Sequence, residues 1–409
     1  MRSAYLLAPA VLFASVARAA PLTYDAALQL AGQSAPSLEG KQDDIRAARS
    51  ASIAAGRLPD PKLALGVEGF PVSGPYAGHP ERDDFSDVRV GLMQDVPSGA
   101  KRRAERERAS ADIGAAEVGG AAETRTVRLN TALAWIDLHY AKRRLDALDQ
   151  IEKALGDLRK TSPAQVASGA ERPAQTLEPE RLSAVLGDRR AELVAAIGKA
   201  RAELVRWTGD VDADVAGDPP DYPLDAVPLR AGLDDLPALR AYDAMSRQAD
   251  ADVDLAKADK NPDWSYELGY QHRDPAFGDM LMAQVTVSLP LFGSTRQDPI
   301  ISAKSQTASR VRSEHVAARR AAVAELESDL ADHAMHHDRL MRAETSLVPL
   351  ADRRARLETA SYAAGNASLS DVLEALLGLA EAKIDRLDRE ADMVRDGVRI
   401  VLTYGRDAK

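Results

Sequence analysis

Residues 263–271 read DWSYELGYQ. In an extended chain, successive side chains point to opposite faces, so Trp264, Tyr266, Leu268 and Tyr270 share one side and Ser265, Glu267, Gly269 and Gln271 the other. The next extended run repeats the pattern, with Leu281, Ala283, Val285, Val287 and Leu289 alternating against Gln284, Thr286 and Ser288. Two earlier runs do the same through Leu63, Leu65 and Val67, then Val88, Val90 and Leu92. These four runs predict two strand hairpins, over 62–96 and 263–290, each with one greasy and one wet face.

Each run has roughly the 9–11 residues of a tilted transmembrane β-strand. The aromatic residues support that placement. Phe70, Tyr76, Phe85, Trp264, Tyr266, Tyr270, Phe277 and Phe292 all lie in the hairpin regions of a chain with only 3 Trp, 10 Tyr and 5 Phe, as in the aromatic girdles of membrane barrels. The competing reading is a soluble four-stranded sheet packed on helices, which alternation alone leaves open. Four strands cannot close a membrane barrel, whose smallest form has about eight. The chain is therefore expected to oligomerise, and three copies supply twelve strands.

Working outward, the punctuation of the chain repeats. Pro36 and Pro61 recur as Pro237 and Pro262 with the same interval of 25 residues, and Pro97 recurs as Pro290. Gly169 recurs as Gly365, and LVRWTG ending at Gly209 recurs as IVLTYG ending at Gly405, each 40 residues beyond the preceding glycine. An internal period of this kind fixes architecture before local motifs do. It predicts a tandem duplication: a first repeat over 20–209, an acidic, proline-rich linker over 210–232, and a second repeat over 233–409. Each repeat reads helix, strand, strand, long helix, return helix.

The stretch 98–166 has no proline before Pro163, and Leu129, Leu133, Ile136, Tyr140, Leu145, Leu148, Ile151, Leu155 and Leu158 follow the alternating three and four steps of a coiled coil. The return helices carry Leu182, Leu186, Leu193, Ile197 and Leu204, then Leu387, Ala391, Val394, Val398 and Val401. At 1.5 Å per residue the long helix reaches about 100 Å, more than a globular core can use. A helix of that length has to cross a compartment.

The ends and the composition agree. MRSAYLLAPAVLFASVARAA, with Arg2, an apolar run from Ala4 to Val16 and Ala17-Arg18-Ala19, reads as a secretory signal peptide over 1–19. The chain has 0 Cys, so it offers neither disulfides nor thiolate metal sites. The net charge is -10, and loss of Arg2 and Arg18 with the leader makes the mature chain more acidic still, which argues against nucleic acid as a partner.

No phosphate-binding glycine loop, zinc-protease pattern or nucleophile elbow is present, so neither an enzyme nor a cofactor is expected. Asp329, His333 and His337 fall at i, i+4 and i+8 with His336 beside them, a spacing suited to Zn or Cu and equally to a solvated helix face. Asp371 and Glu374 share a helix face, and in a trimer each becomes a ring of three carboxylates around an axial pore or a solvent-facing set. The helix reversals carry Gly169 in the first repeat, and Gly365, Asn366, Leu369, Ser370 and Leu373 in the second. Opposite the strands on a helix of about 100 Å, these tips are the expected docking points for a periplasmic partner, with Leu369 read as exposed.

LTYDAALQLAGQSAP from residue 22, VGLMQDVPSGAKRR from 90, VSLPLFGSTR from 287 and ASYAAGNASLSDVLEA from 360 resemble the TolC outer-membrane efflux family over nearly the whole mature chain. The phrasing VGLMQDVP and the short length are most similar to its CzcC-like branch, which partners metal-exporting RND pumps. The resemblance implies a mainly α fold with a transmembrane β portion, a homotrimer in which a 12-stranded β-barrel sits over a long α-helical barrel, embedded in outer-membrane lipid and extending into the periplasm. It implies a periplasmic adaptor and an inner-membrane RND pump as partners, and passive export of heavy-metal cations. A duct for multidrug efflux or type I protein secretion has the same fold. A soluble periplasmic coiled-coil scaffold is the reading from a different class.

Overall fold

The computed structural model describes residues 21–167 and 177–405; the expected leader and Gly169 lie outside them. The elements are α1 (Tyr24–Ser34), α2 (Pro36–Ala54), β1 (Lys62–Glu68), β2 (Asp87–Val96), α3 (Gly99–Ala167), α4 (Glu178–Thr208), α5 (Ala226–Ala231), α6 (Pro237–Ala258), β3 (Trp264–His272), β4 (Met280–Val287), α7 (Gln297–Arg342), α8 (Val348–Ala363) and α9 (Leu369–Tyr404). Helix, two strands, long helix and return helix thus occur twice in order. None of the described helices is long and apolar enough to cross a membrane.

Local chemistry sets the helix ends. Ser98 precedes α3 and its hydroxyl accepts from the Lys101 N–H at 3.2 Å, one of the donors that a helix start leaves without a partner. With 69 residues and no internal proline before its last turns, α3 is about 100 Å long. At the end of α4, Gly209 adopts φ 72 and returns its N–H to the Val205 carbonyl, the left-handed cap that glycine adopts without strain.

The second long helix departs from the expected continuous pattern. Between α7 and α8, residues Ala343–Leu347 form a π turn, and the Val348 N–H bonds the Ala343 carbonyl five residues back. Pro349 accounts for it: proline supplies no N–H and its ring crowds the carbonyl four residues earlier, so the helix takes in an extra residue ahead of it.

The chain forms two compact units, each drawing on both halves of the sequence. One comprises the described parts of 1–35, 125–226 and 326–409; the other comprises 36–124 and 227–325. The expected repeat boundaries are therefore not unit boundaries.

The first unit has a large-residue core. Trp135, Ile136, Leu138, Tyr140, Leu204, Val398 and Leu402 are buried together with Tyr24 and Leu28 of α1. Trp135 donates its indole N–H to the Leu22 carbonyl at 2.9 Å and meets the Tyr24 ring edge-on at 5.7 Å, which ties down the segment leading into α1. The linker joins this core through Ala213 and Val215, with Leu22 bridging Val215 in parallel. A second cluster holds Leu148, Ile151, Leu182, Leu186 and Leu193, all read from the sequence as periodic apolar positions, together with Leu369, Leu373 and Ile384. Burying each such side chain is worth about 1.5–3 kcal/mol.

The second unit contains the sheet and has a helical core of small residues, Ala249 and Val253 of α6 against Ala308 and Val311 of α7. Polar pairs link its helices: Arg108 to Asp252, Lys304 to Asp252 at 3.1 Å, and Arg312 to Asp250 at 3.0 Å. The strands form one antiparallel sheet in the order β1-β2-β3-β4, so β1 and β4 are its two edges.

Candidate functional site

The register of the sheet turns four separate alternations into two continuous surfaces. Leu63 pairs with Leu92, Leu92 with Leu268, and Leu268 with Ala283; one step along, Leu65, Val90, Tyr270 and Leu281 line up in the same way. This apolar face is exposed, Leu268 at 69% and Leu281 at 85%. On the central strands β2 and β3 the opposite face is the covered one, with Asp87, Gly91, Glu267 and Gly269 buried. A water-soluble sheet places its apolar face inward, so the sheet is inverted relative to one folded for water.

The polar face has its own construction. Arg89 donates to Glu68 Oε1 at 2.5 Å and to Glu267 Oε1, so one guanidinium bridges carboxylates from two neighbouring strands. Gly91 leaves room for this arrangement: a Cβ there would stand 2.7 Å from Glu267 Oε1. Lys62 and Asp95 pair at 2.7 Å on the same face. Beyond the strands, Arg273 donates to the carbonyls of Gly278, Phe277 and Asp84, joining the loop 273–279 to the loop 69–86.

The second helix reversal lies in the first unit. Gly365 takes φ 76, and the Asn366 N–H bonds the Ser361 carbonyl at 2.8 Å, which closes α8. Ser368 then opens α9 with a capping box: its hydroxyl accepts from the Asp371 N–H, while Asp371 Oδ2 accepts from the Ser368 N–H at 2.9 Å and from its hydroxyl at 2.7 Å. These bonds hold the Asp371 carboxyl below the usual aspartate range.

Several expected site residues are placed differently from the reading of the sequence. Leu369 is 0% exposed, not displayed at the tip. As the first residue of α9 it continues the apolar stripe through Leu373, Ala380 and Ile384 into the leucine cluster. Leu373 is buried and Ser370 half-buried, which leaves Ala363, Ala364, Gly365 and Asn366 exposed at the reversal. Asp371 is engaged as the helix cap, and Glu374 is exposed and pairs with Arg354 at 3.0 Å.

The histidine-rich face of α7 does not gather as a ligand set. Asp329 accepts from the Tyr404 hydroxyl at 3.1 Å, and Asp396 of α9 meets His336 Nδ1 at 2.6 Å. His333 is half-buried, and burial pushes its imidazole below the ordinary histidine range. Eight residues along a helix leave His337 rotated about 80° from Asp329, and His337 is exposed. Among the described residues no three His, Asp or Glu side chains converge on a metal position.

A sheet with its apolar side outward, joined to helices far longer than a globular core requires, defines the class of outer-membrane channel folds. Residues 231–406 match the family described as "Outer membrane efflux protein". Among solved structures, a membrane protein from Pseudomonas aeruginosa is similar at TM-score 0.80 and 18% identity, covering 93% of this chain and 90% of that one. The Campylobacter jejuni CmeC outer membrane channel is similar at TM-score 0.77 and 13% identity, with 93% and 85% covered. The Vibrio cholerae outer membrane protein VceC is similar at TM-score 0.78 and 18% identity, with 93% and 96% covered. A search of curated proteins finds no match. The matched family and the last two of these structures are described as outer-membrane proteins, and the likeness in fold extends over 93% of this chain.

Proposed function

We propose that three copies of this chain close a 12-stranded β-barrel and a long α-helical barrel, forming the passive outer-membrane exit duct of a tripartite efflux system. The observation that carries this reading is the pairing of an outward apolar face with two open sheet edges. Lipid suits the face, and a neighbouring copy suits the edges, since an unpaired strand edge in a bilayer leaves backbone groups with no partner. Consecutive antiparallel order makes β1 and β4 run in opposite directions, so β4 of one copy can pair antiparallel with β1 of the next.

The duplicated element order gives each copy two hairpins and two long helical arms. A helix of about 100 Å is long enough to carry a docking tip deep into the periplasm, where an adaptor and an inner-membrane RND pump deliver cargo. The exposed turn at Gly365 and Asn366 is the part of the second tip available to the adaptor. Heavy-metal cations are the proposed cargo, supported by the CzcC-like phrasing of the sequence and the net charge of -10. The conduit supplies wall and lumen, without catalysis.

Chemical crosslinking of outer-membrane fractions tests the assembly. A detergent-stable trimer is expected; monomers or dimers alone would count decisively against the barrel.

A further inference from the structure

The charged residues of the sheet's strands, His272 at the rim aside, all lie on the polar face. They are Lys62, Glu68, Asp87, Arg89, Asp95 and Glu267, two bases against four acids. Arg89 is enclosed: its side chain is 18% exposed and held between Glu68 and Glu267, with Glu267 at 6%. Asp87 stands directly across from Glu68, and its Oδ2 is buried without a hydrogen-bond partner among the described residues.

We infer that the Glu68, Arg89 and Glu267 cluster sets the charge selectivity of the conduit where it crosses the membrane, so that the lumen prefers cations over anions. This rests on the trimeric barrel reading, which makes the polar face the lumen wall. Threefold repetition turns each residue into a ring, and charge rings in a low-dielectric wall determine which ions enter. Glu267 is the controlling residue. While it is ionised, Arg89 is doubly neutralised and the ring is net negative; without its charge, each Arg89 has Glu68 alone as its ionic partner.

The inference gives the two partners opposite signs, which a purely structural role for the pair does not. The experiment is reversal-potential measurement on the full-length trimer in planar bilayers under a KCl gradient, kept dilute because screening weakens lumen charges at a range of about 10 Å in 0.1 M salt. Wild type is expected to favour potassium. Glu267→Gln, which keeps the shape and an acceptor for Arg89, is expected to lower the potassium-to-chloride permeability ratio about twofold, and Arg89→Gln to raise it by about as much. Glu267→Asp restores the wild-type ratio. Conducting channels with the same reversal potential in all variants, or shifts of the same sign in both Gln variants, overturn the inference while leaving the conduit intact. Absence of conductance from every form overturns the conduit reading, and the inference with it.

Discussion

The sheet and the helical cluster around Trp135 sort their side chains in opposite ways. In the cluster, aromatic and aliphatic groups point inward, and Trp135, Ile136, Leu138 and Tyr140 are fully buried. In the sheet, Leu63, Leu65, Leu92, Leu268 and Leu281 point outward, while Glu267 and two glycines are covered. One chain carries both patterns, and the proposed function matches each region to its own solvent. The hydrophobic effect moves apolar area away from water, and it leaves such area outside only where the outside is not water. On the proposed reading, the difference maps which segment meets lipid.

Substitutions in the two regions separate these cases. The largest expected effect is in the helical cluster, where Trp135→Ala removes a buried indole and one of the two donors to the Leu22 carbonyl. A loss of about 3–5 kcal/mol is expected, read as a lowered unfolding midpoint with the strands unaltered. In the sheet, Leu268→Arg is expected to cost about 2–4 kcal/mol at mid-bilayer and to reduce the trimer recovered from membranes. A sheet facing water would accept arginine at a position 69% exposed with little change, so normal assembly of this variant breaks the comparison.

The smallest effect concerns the cap of α9. Because the Asp371 carboxyl titrates below its ordinary range, its stabilising contribution is fully present above the unfolded aspartate value near 4, and is lost as pH falls through the lower folded value. Melting curves of wild type and Asp371→Asn are therefore expected to differ at neutral pH and to converge in acid. Curves separated by the same margin in acid would show that Asp371 acts other than as an ionised cap.

Much of this was legible in the residues themselves. Alternation identified all four strands and which face of each was apolar, and leucine spacing identified many of the residues buried in the two helical clusters. The register across strands was not legible, so Arg89 went unnoticed although DVRVGL and YEL each place a charge on the wet face. The tip was misread for a related reason. Leu369 sits between small polar residues in GNASLSD and looks exposed, but a helix begins there and its first turn already faces the leucine cluster. The S-x-x-D spacing of Ser368 and Asp371 was the available signal for that start. The π turn before Pro349 was signalled by the proline alone. The histidines of α7 show the limit of spacing arguments, since the packing of α9 decides which of them finds a carboxylate.

The central claim is that the apolar face of the sheet meets lipid, and a chain with 0 Cys allows it to be tested one position at a time. Leu268→Cys on the apolar face and Gln284→Cys on the polar face, each labelled with an environment-sensitive fluorophore, can be reconstituted into vesicles containing brominated phospholipid. The account predicts strong quenching at residue 268 and weak quenching at residue 284. Equal, weak quenching at both positions, in trimers shown to be membrane-inserted, would contradict it.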